Sequence, residues 1–558
     1  MSQQRPWLAT YAELGQDWNT LPELPEKTLS DYVRDHAANY AERVALSYLG
    51  QDFSYREINR LSDQLANALW EQGFRPGDVM AVQLPNTPQY VVALIAAARM
   101  GMVITSVSPL LTPREAIAQC IDAEVKVLLT LDAISEAMAE KLAEGVPSLR
   151  LILVSTATEM MAGMPKASPT ATKVLHVSSR GFDHFIQNVA GDPFEHPVSI
   201  DKILYLQYTG GTTGKAKGAQ LTSRNLFMNN LQANVFYGYR EGQETVASAF
   251  PFFHIGGAAV LLNAIRTAST FLVIPDPRNV EQYCNAMRQH PPTVLANVPA
   301  LFQMLMANEK FRALDFSNLR IAISGAAPFA EEEIKRLEAI VGPGRFCEVY
   351  GMTETSPVQT LNPAQKFKPG FVGIPLPGTD LRIMDAENGD TEMPLGEPGE
   401  VVVAGPQVMQ GYMAAPEANA RALRERDGRV WMYTGDIGFL DKDGYLKICD
   451  RSKDMLIVGG YKVFSVEVET KLQELPFVAM SAVVGRPDTE RPGNDIVQLY
   501  VQVRPGTELN EAEMRESITD FCRANMAPYK VPREIHFLEV LPLTSVGKID
   551  KKALRVSA

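Results

Sequence analysis

Short apolar runs alternate with longer helix-like segments between residues 79 and 131. The apolar runs are rich in Val, Ile and Leu, which favours buried strands. One of the longer segments follows Pro88, and the other has proline at its first helical position and follows Thr112, which can act as an N-cap. A strand-helix-strand-helix-strand order predicts a parallel sheet covered by helices. The segments, in order, are Val79–Leu84, Gln89–Met100, Val103–Val107, Pro113–Asp122 and Val125–Leu131.

The same alternation returns in the middle of the chain. A helix is expected after Thr222, and Ala330–Val341 has an apolar helical stripe with an acidic first turn that suits the helix dipole. A further helix is predicted at Pro299–Ala307. The predicted strands of this part are Ile203–Tyr208, Val246–Phe250, Thr270–Ile274, Thr293–Val298 and Leu319–Ser324.

From about Pro394 onward, short runs are broken by glycine and proline, which predicts a twisted, partly antiparallel β region. A turn between Ile437–Leu440 and Tyr445–Cys449 predicts a hairpin. The charged run 450–454 follows and is taken as a domain boundary. The fold class is therefore α/β: a large N-terminal domain of parallel α/β subdomains plus a β region over 1–449, and a small α+β domain over 455–558.

Composition excludes several classes of protein. The 558 residues include 65 acidic and 53 basic side chains, so a net charge of −12 gives no overall footprint for nucleic acid. Five widely spaced cysteines without a CxxC pair argue against a disulfide framework or a zinc site and suit a reducing compartment. The N-terminus does not resemble a secretory signal, and the most apolar stretch, Tyr90–Val107, contains Arg99 and Gly101. We therefore expect a cytoplasmic protein without a transmembrane segment.

A loop rich in glycine and threonine, Tyr208–Gly218, directly follows a predicted strand. Glycines permit close backbone approach, and successive N–H groups can form a concave nest for anions. Threonine hydroxyls and Lys217 add donors and a positive charge, which together suit a polyphosphate. Ala216 stands where a Walker A loop would need Ser or Thr for magnesium, so this is not a Walker A loop. A flexible surface loop is the alternative interpretation.

The loop resembles the phosphate loop of the adenylate-forming superfamily, which includes acyl-CoA synthetases, peptide-synthetase adenylation domains and firefly-type luciferases. Gly210 replaces the usual serine and Ala216 the usual proline, so the resemblance implies one fewer phosphate hydrogen bond and a looser loop. Further segments match in the family order, and the resemblance extends from about Phe53 to Leu554. It implies ATP, Mg²⁺ and coenzyme A as cofactors.

Three segments between residues 251 and 355 match family sites. By resemblance, His254 lines the acyl-carboxylate pocket, with small residues leaving volume beside it, although a lone histidine among aromatics is more often a core residue. Gly325–Pro328 forms walls for adenine and acyl group. Tyr350 can stack on a purine, Thr353 can bond a phosphate, and Glu354 is the implied magnesium ligand, whereas Thr-Glu-Thr alone indicates a helix start.

The remaining matches lie nearer the C-terminus. Asp436 and Arg451 are implied ribose contacts, although an aspartate there is also common in turns. Lys453 is the implied hinge pivot about which a mobile C-terminal domain would swing. Ser465 stands where the family has proline, so reduced rigidity is expected at that turn. Lys548 matches the essential lysine of the adenylation step, although a surface lysine there is usually only a solubilising charge.

The catalytic candidates are therefore Lys548, Glu354 and His254. The residues expected to bind nucleotide or coenzyme A are Thr209, Gly210, Gly211, Thr212, Thr213, Gly214, Lys217, Gly325, Ala326, Ala327, Pro328, Tyr350, Gly351, Met352, Thr353, Asp436, Arg451, Gly459 and Gly460.

The resemblance implies ATP- and Mg²⁺-dependent ligation of a carboxylic acid to coenzyme A through an acyl-AMP. The preferred hypothesis for the acid is a medium- or long-chain fatty acid. Aryl, cyclic or dicarboxylic acids are alternatives, as is a fatty acyl-AMP ligase that loads a separate carrier protein. A peptide-synthetase-type module, a luciferase-type oxygenase and an inactive nucleotide sensor are the other hypotheses. A homodimer and a peripheral membrane contact stay open.

Overall fold

The computed structural model describes residues 5–166, 172–187, 189–209, 216–459, 461–488, 491, 494–543 and 549–556. The chain divides into two compact units, residues 1–380 with 404–432 and residues 381–403 with 433–558. The predicted fold class is confirmed, with a large α/β unit dominated by the N-terminal part of the chain and a small unit that contains the C-terminus. That residues 450–454 act as a hinge for movement of the C-terminal domain stays a prediction.

Two nine-stranded sheets occur in the described part of the larger unit, and most of their inner strands run parallel. In the order in which neighbours pair, the first sheet contains Ile374–Pro375, Val358–Asn362, Phe346–Gly351, Ile321–Gly325, Val294–Asn297, Thr245–Ser248, Thr270–Val273, Val44–Tyr48 and Gln51–Ser54. The second contains Gly411–Tyr412, Lys217–Thr222, Ile203–Thr209, Val103–Ser106, Val79–Gln83, Val125–Leu131, Leu151–Ser155, Val177–Gly181 and Thr172–Val174.

Helices connect the parallel strands and cover the sheets. They are Trp7–Glu13, Leu29–Asn39, Tyr55–Glu71, Pro88–Met100, Pro113–Asp122, Asp132–Gly145, Phe182–Gln187, Ser223–Tyr237, Ile255–Arg266, Val280–Gln289, Pro299–Ala307, Glu309–Arg312, Glu331–Val341 and Pro416–Ala422. Short 3₁₀ turns lie at Thr353–Thr355 and Ala364–Lys366.

Local chemistry explains where the predicted helices begin. Thr112 is the N-cap of Pro113–Asp122, and its hydroxyl accepts from the Glu115 N–H while the Glu115 side chain accepts from the Thr112 backbone N–H. Thr222 and Asn225 form the same reciprocal pair at the start of Ser223–Tyr237. These capping groups satisfy backbone donors that a helix leaves without partners at its N-terminus.

The apolar stretch Tyr90–Val107 folds into most of the helix Pro88–Met100, a turn and the strand Val103–Ser106, as its segments predicted. The helix ends at Gly101, whose φ of 68° is in the left-handed region that glycine favours. Arg99 is buried in this helix and forms an ion pair with buried Asp63 at 2.6 Å, so the charge is compensated. Among the described residues, no helix combines the length and apolar character needed to cross a lipid bilayer.

The smaller unit combines a β region with a small α+β layer. The β region of this unit contains nearly all of strands Asp380–Met384 and Gly399–Ala404 and the last residues of strand Arg429–Leu440, which pair with Leu446–Arg451. The first residues of that long strand belong to the larger unit, where they pair with Leu423–Arg426. The predicted hairpin is confirmed, with Leu440 opposite Leu446.

The α+β layer contains the C-terminal part of the chain. Val478–Pro487, Asp495–Val503 and Glu534–Leu538 form a three-stranded sheet, and Leu456–Val458 pairs with Tyr461–Val463. Helices Ser465–Leu472, Glu511–Asn525 and Lys551–Val556 and the 3₁₀ turn Pro528–Lys530 complete it. Its core contains Val468, Leu472, Leu499 and Ile518, all fully buried.

Candidate functional site

The two strands that flank the glycine- and threonine-rich loop are antiparallel neighbours. Strand Ile203–Thr209 pairs with Lys217–Thr222 so that Thr209 lies opposite Lys217. A Cβ atom on Gly218 would lie only 2.8 Å from the Leu206 side chain, so a glycine is needed for close packing here. The expected strand before the loop is confirmed. Gly210, Gly211, Thr212, Thr213 and Gly214 lie outside the described residues.

Tyr412 connects the base of this loop to the implied magnesium ligand. The Lys217 Nζ lies 5.1 Å from the centre of the Tyr412 ring, within reach of a cation–π interaction. The Tyr412 hydroxyl donates to Glu354 Oε1 at 2.6 Å. Burial and the Glu354 carboxylate raise the pKa of Tyr412, so the phenol remains protonated and continues to donate. No sequence motif points to Tyr412, because its partner Glu354 is 58 residues away.

Glu354 occupies the 3₁₀ turn Thr353–Thr355 and is 5% exposed. The Met409 backbone N–H donates to its carbonyl oxygen. A Cβ atom on Gly351 would lie 1.8 Å from the Pro357 oxygen, so only glycine allows the chain to approach so closely before the turn. In the described part of the chain, no group of three His, Cys, Asp or Glu side chains could hold a metal ion. The Glu354 carboxylate is an oxygen ligand of the kind that Mg²⁺ takes together with substrate phosphates and water.

The segment Gly325–Pro328 lies at the carboxyl end of a parallel strand, where ligands bind in open α/β sheets. Gly325 pairs with Val349, which places the turn beside Tyr350 on the neighbouring strand. A Cβ atom on Gly325 would lie 2.7 Å from the Val349 side chain. Ala326 adopts a φ of 70°, and residues 326 to 328 are exposed. The structure therefore brings this turn and the segment Tyr350–Thr353 together at one sheet edge.

His254 follows another strand of the same sheet and is the N-cap of Ile255–Arg266. Its Nδ1 accepts the Gly256 N–H at 3.1 Å, so in the neutral ring the proton lies on Nε2. A Cβ atom on Gly257 would lie 2.1 Å from the Pro251 carbonyl oxygen. Gly257 therefore allows close packing at the start of the helix.

The predicted ribose contacts are neighbours in the smaller unit. Asp436 lies opposite Arg451 in the antiparallel pair, and Arg451 Nε lies 2.8 Å from Asp436 Oδ1. Asp436 is 3% exposed, and the Thr434 hydroxyl accepts its backbone N–H. The ion pair holds the Asp436 carboxylate in place.

The other residues of this unit that the resemblance singled out are the proposed hinge pivot Lys453 and residues that follow it in the chain. Lys453 is exposed within the charged run. Gly459 has a φ of 61° and donates its N–H to Asn494 Oδ1 at 2.7 Å. Ser465 begins the helix Ser465–Leu472 and is fully buried. Gly460 and Lys548 lie outside the described residues.

The chain is similar to known proteins over most of its length. The model of the family "AMP-binding enzyme" matches residues 33–413, and that of the "AMP-binding enzyme C-terminal domain" matches 467–548. A long-chain-fatty-acid–CoA ligase of Bacillus subtilis (strain 168) is 34% identical over 99% of this chain and 98% of its own length. One from Escherichia coli O6:H1 is 32% identical over 95% of both chains.

A solved structure agrees with the fold. The crystal structure of an anthranilate CoA ligase in complex with anthranoyl-AMP superposes with a TM-score of 0.83 at 25% identity and covers 96% of this chain and 98% of its own. Sequence and structure thus point to the same family through both units. The chain belongs to the AMP-binding enzymes and is an AMP-forming acyl-CoA synthetase of the adenylate-forming superfamily.

Proposed function

We propose that this enzyme joins a medium- or long-chain fatty acid to coenzyme A at the expense of ATP. The observation that carries the proposal is the contact series from Lys217 through Tyr412 to Glu354, which links the phosphate-binding loop to the only acidic residue of the 3₁₀ turn. The fatty-acid preference is supported by two relatives, both called long-chain-fatty-acid–CoA ligases.

In the first step, a carboxylate oxygen of the acid attacks the α-phosphorus of ATP, the bond to pyrophosphate breaks, and an acyl-AMP forms. This reaction brings anions together, so fixed positive charge and N–H donors must offset the repulsion. Thr209, Lys217 and the loop between them would hold the phosphates. When bound at Glu354, Mg²⁺ would supply charge that neutralises the phosphate oxygens. Lys548 would stabilise the developing charge at the carboxylate and α-phosphate.

The nucleoside and the acyl group would occupy the remaining positions. Gly325, Ala326, Ala327 and Pro328 would present backbone and small side chains to the adenine and the acyl group. Tyr350 would stack on the purine, and His254 would lie beside the acyl carboxylate. Asp436 and Arg451 would bind the ribose hydroxyls, because a carboxylate accepts two hydrogen bonds from a vicinal diol.

In the second step, the thiol sulfur of coenzyme A attacks the acyl carbon, AMP leaves, and the thiol proton passes to solvent or to the leaving phosphate. Gly459 and Gly460 would line the pantetheine passage. Lys548 and the thiol would approach the same face of the acyl-AMP. A swing of residues 455–558 about Lys453 in the hinge 450–454, relative to residues 1–449, would separate the two steps.

A panel of acids, assayed for AMP formation with Mg²⁺, ATP and coenzyme A, tests the proposal. The expected result is turnover with fatty acids between hexanoate and palmitate that exceeds turnover with benzoate, anthranilate, cyclohexanecarboxylate and malonate. Faster turnover with an aromatic acid would favour the aryl alternative. Anthranilate is in the panel because the chain is similar in structure to an anthranilate CoA ligase. AMP that stays bound as acyl-AMP without consumption of coenzyme A would indicate a ligase that loads a carrier protein.

We further propose a cytoplasmic location, with small molecules as partners and no nucleic acid. Cell fractionation tests the location, and light scattering of the purified protein decides between a monomer and a homodimer. Sedimentation with lipid vesicles decides whether the protein contacts membranes peripherally.

A further inference from the structure

Four polar side chains from three elements meet inside the smaller unit. Asp450 is the second-last residue of strand Leu446–Arg451, Ser465 and Glu469 belong to helix Ser465–Leu472, and Lys551 begins helix Lys551–Val556. Asp450 is 2% exposed and Ser465 is fully buried. The side chains of Glu469 and Lys551 are each 15% exposed. Buried charges of this kind are retained only when they are paired and hydrogen-bonded.

The four groups form a continuous series of contacts. The Ser465 hydroxyl donates to Asp450 Oδ1 at 3.0 Å, and the Ser465 N–H donates to Asp450 Oδ2. The Lys551 Nζ donates to the Ser465 hydroxyl oxygen at 2.6 Å and lies 2.7 Å from Glu469 Oε1. Burial raises the pKa of Asp450 and of Glu469, and the Lys551 ammonium opposes both shifts.

Ser465 is one of the residues at which this chain departs from the family pattern, because the resemblance places proline at its position. Proline has neither an N–H nor a hydroxyl, so it could make none of the three hydrogen bonds that Ser465 makes. The turn expected to be less rigid without proline is instead held by side-chain hydrogen bonds to Asp450 and Lys551.

Asp450 and Lys551 each lie close in the sequence to a residue with a role in the proposed reaction. Asp450 directly precedes Arg451, which pairs with Asp436. Lys551 is three residues beyond Lys548 in the sequence. Between them, Ile549 forms an antiparallel bridge with Leu543, and the Asp550 N–H donates to the Pro542 carbonyl at 2.8 Å. The chain on the C-terminal side of the essential lysine is therefore anchored first by backbone and then by the Lys551 side chain.

We propose that Lys551 and Ser465 are positioning residues for the adenylation step. They attach the chain that carries Lys548 to the helix and strand next to Arg451. This inference rests on the proposed function, because it assigns the anchoring to the step in which Lys548 acts. Misplacement by about 1 Å in an active site can lower a rate roughly 100-fold, which sets the size of the expected effect.

The test measures two partial reactions of the full-length enzyme. Pyrophosphate release with ATP, Mg²⁺ and a fatty acid reports adenylation, and thioester formation from supplied acyl-AMP and coenzyme A reports the second step. Lys551→Met should lower kcat for adenylation by roughly 10- to 100-fold with little change in KM for ATP, and should leave the second step within about two-fold. Lys551→Arg should restore most of the adenylation rate, because it restores the charge.

Lys552→Met is the matched control, since it removes the same charge from the next, exposed residue of the same helix. It should behave as the wild type in both reactions. Ser465→Ala keeps the backbone N–H and loses only the hydroxyl, so it should fold and show a smaller loss confined to adenylation. That variant keeps the test valid if Lys551→Met does not fold.

The outcomes separate the two proposals. A wild-type enzyme that releases no pyrophosphate with any acid overturns the proposed function. An active wild type with Lys551→Met or Ser465→Ala equal to Lys552→Met overturns the positioning role. Equal losses in both partial reactions, or no rescue by Lys551→Arg, also overturn it.

Discussion

The hydroxyl of Tyr412 donates a 2.6 Å hydrogen bond to the buried carboxylate of Glu354. The same ring lies 5.1 Å from the ammonium of Lys217. A phenol that donates to a carboxylate on one side and faces a cation on the other fixes the orientation of both charged groups. The pair therefore gives the proposed metal and phosphate contacts a common support within the larger unit.

Tyr412→Phe should weaken magnesium-dependent turnover while the ring remains in place beside Lys217. Loss of the donor leaves a buried carboxylate with one hydrogen bond fewer, which costs about 1–3 kcal/mol and changes its orientation. We expect a roughly 10-fold lower kcat/KM and a shifted Mg²⁺ dependence of pyrophosphate release. Tyr55→Phe, which also loses a buried 2.8 Å hydrogen bond but lies elsewhere, is the control. An unchanged Mg²⁺ titration would contradict the role of Tyr412.

Glu354→Ala should reduce turnover and weaken the dependence on Mg²⁺, because the carboxylate is the proposed metal ligand. The loss should be about 100-fold or more, as for removal of one group that stabilises charge in a transition state. Initial rates over a range of Mg²⁺ concentrations measure it, with exposed Glu417→Ala as the control. Wild-type kinetics would refute the assignment.

The local parts of the fold could be predicted from the sequence because their causes are local. Thr112 with Pro113, and the alternation of apolar runs with helix-like segments, depend only on neighbouring residues. The Tyr412–Glu354 contact could not be predicted, because neither side chain carries a signal of its partner 58 residues away. The close approach of Gly257 to the Pro251 carbonyl and the hydrogen bond from Ser465 to Asp450 could not be predicted either. Each depends on how the folded chain packs, which a sequence motif does not encode.

Asp436→Asn should raise KM for ATP, because the neutral amide loses its ion pair with Arg451 and accepts fewer hydrogen bonds from the ribose. We expect an increase of roughly 10-fold, the size of one lost charge-assisted hydrogen bond, with a smaller change in kcat. Asp520→Asn is the control, since that aspartate faces Arg523 at 3.9 Å on the surface of the same unit. A larger effect on kcat than on KM would argue against ribose binding.

Lys548→Ala should block acyl-AMP formation and leave thioester formation from supplied acyl-AMP intact. The lysine is proposed to stabilise charge only in the first step, so its loss should cost about 100-fold or more there. The two partial reactions are measured separately, with Lys552→Ala as the control. Comparable losses in both steps would contradict a separate conformation for each step.

Glu348→Gln should remove a pH dependence of stability. Glu348 is 6% exposed, and burial raises its pKa from 4.5 to about 7 despite the Phe329 N–H donated to it. Between these values the folded protein keeps a proton that the unfolded chain releases, so the stabilising contribution is complete below the lower value and is lost as the pH rises through 7.

Glutamine keeps the size of the side chain and cannot ionise, so the variant should gain stability relative to the wild type as the pH rises. The gain between about pH 5 and pH 8 should approach roughly 3 kcal/mol at most. Melting temperatures of both proteins across this range measure it, and exposed Glu417→Gln should show a constant difference from the wild type. A Glu348→Gln difference that does not change with pH would show that Glu348 ionises at its ordinary value in the folded protein.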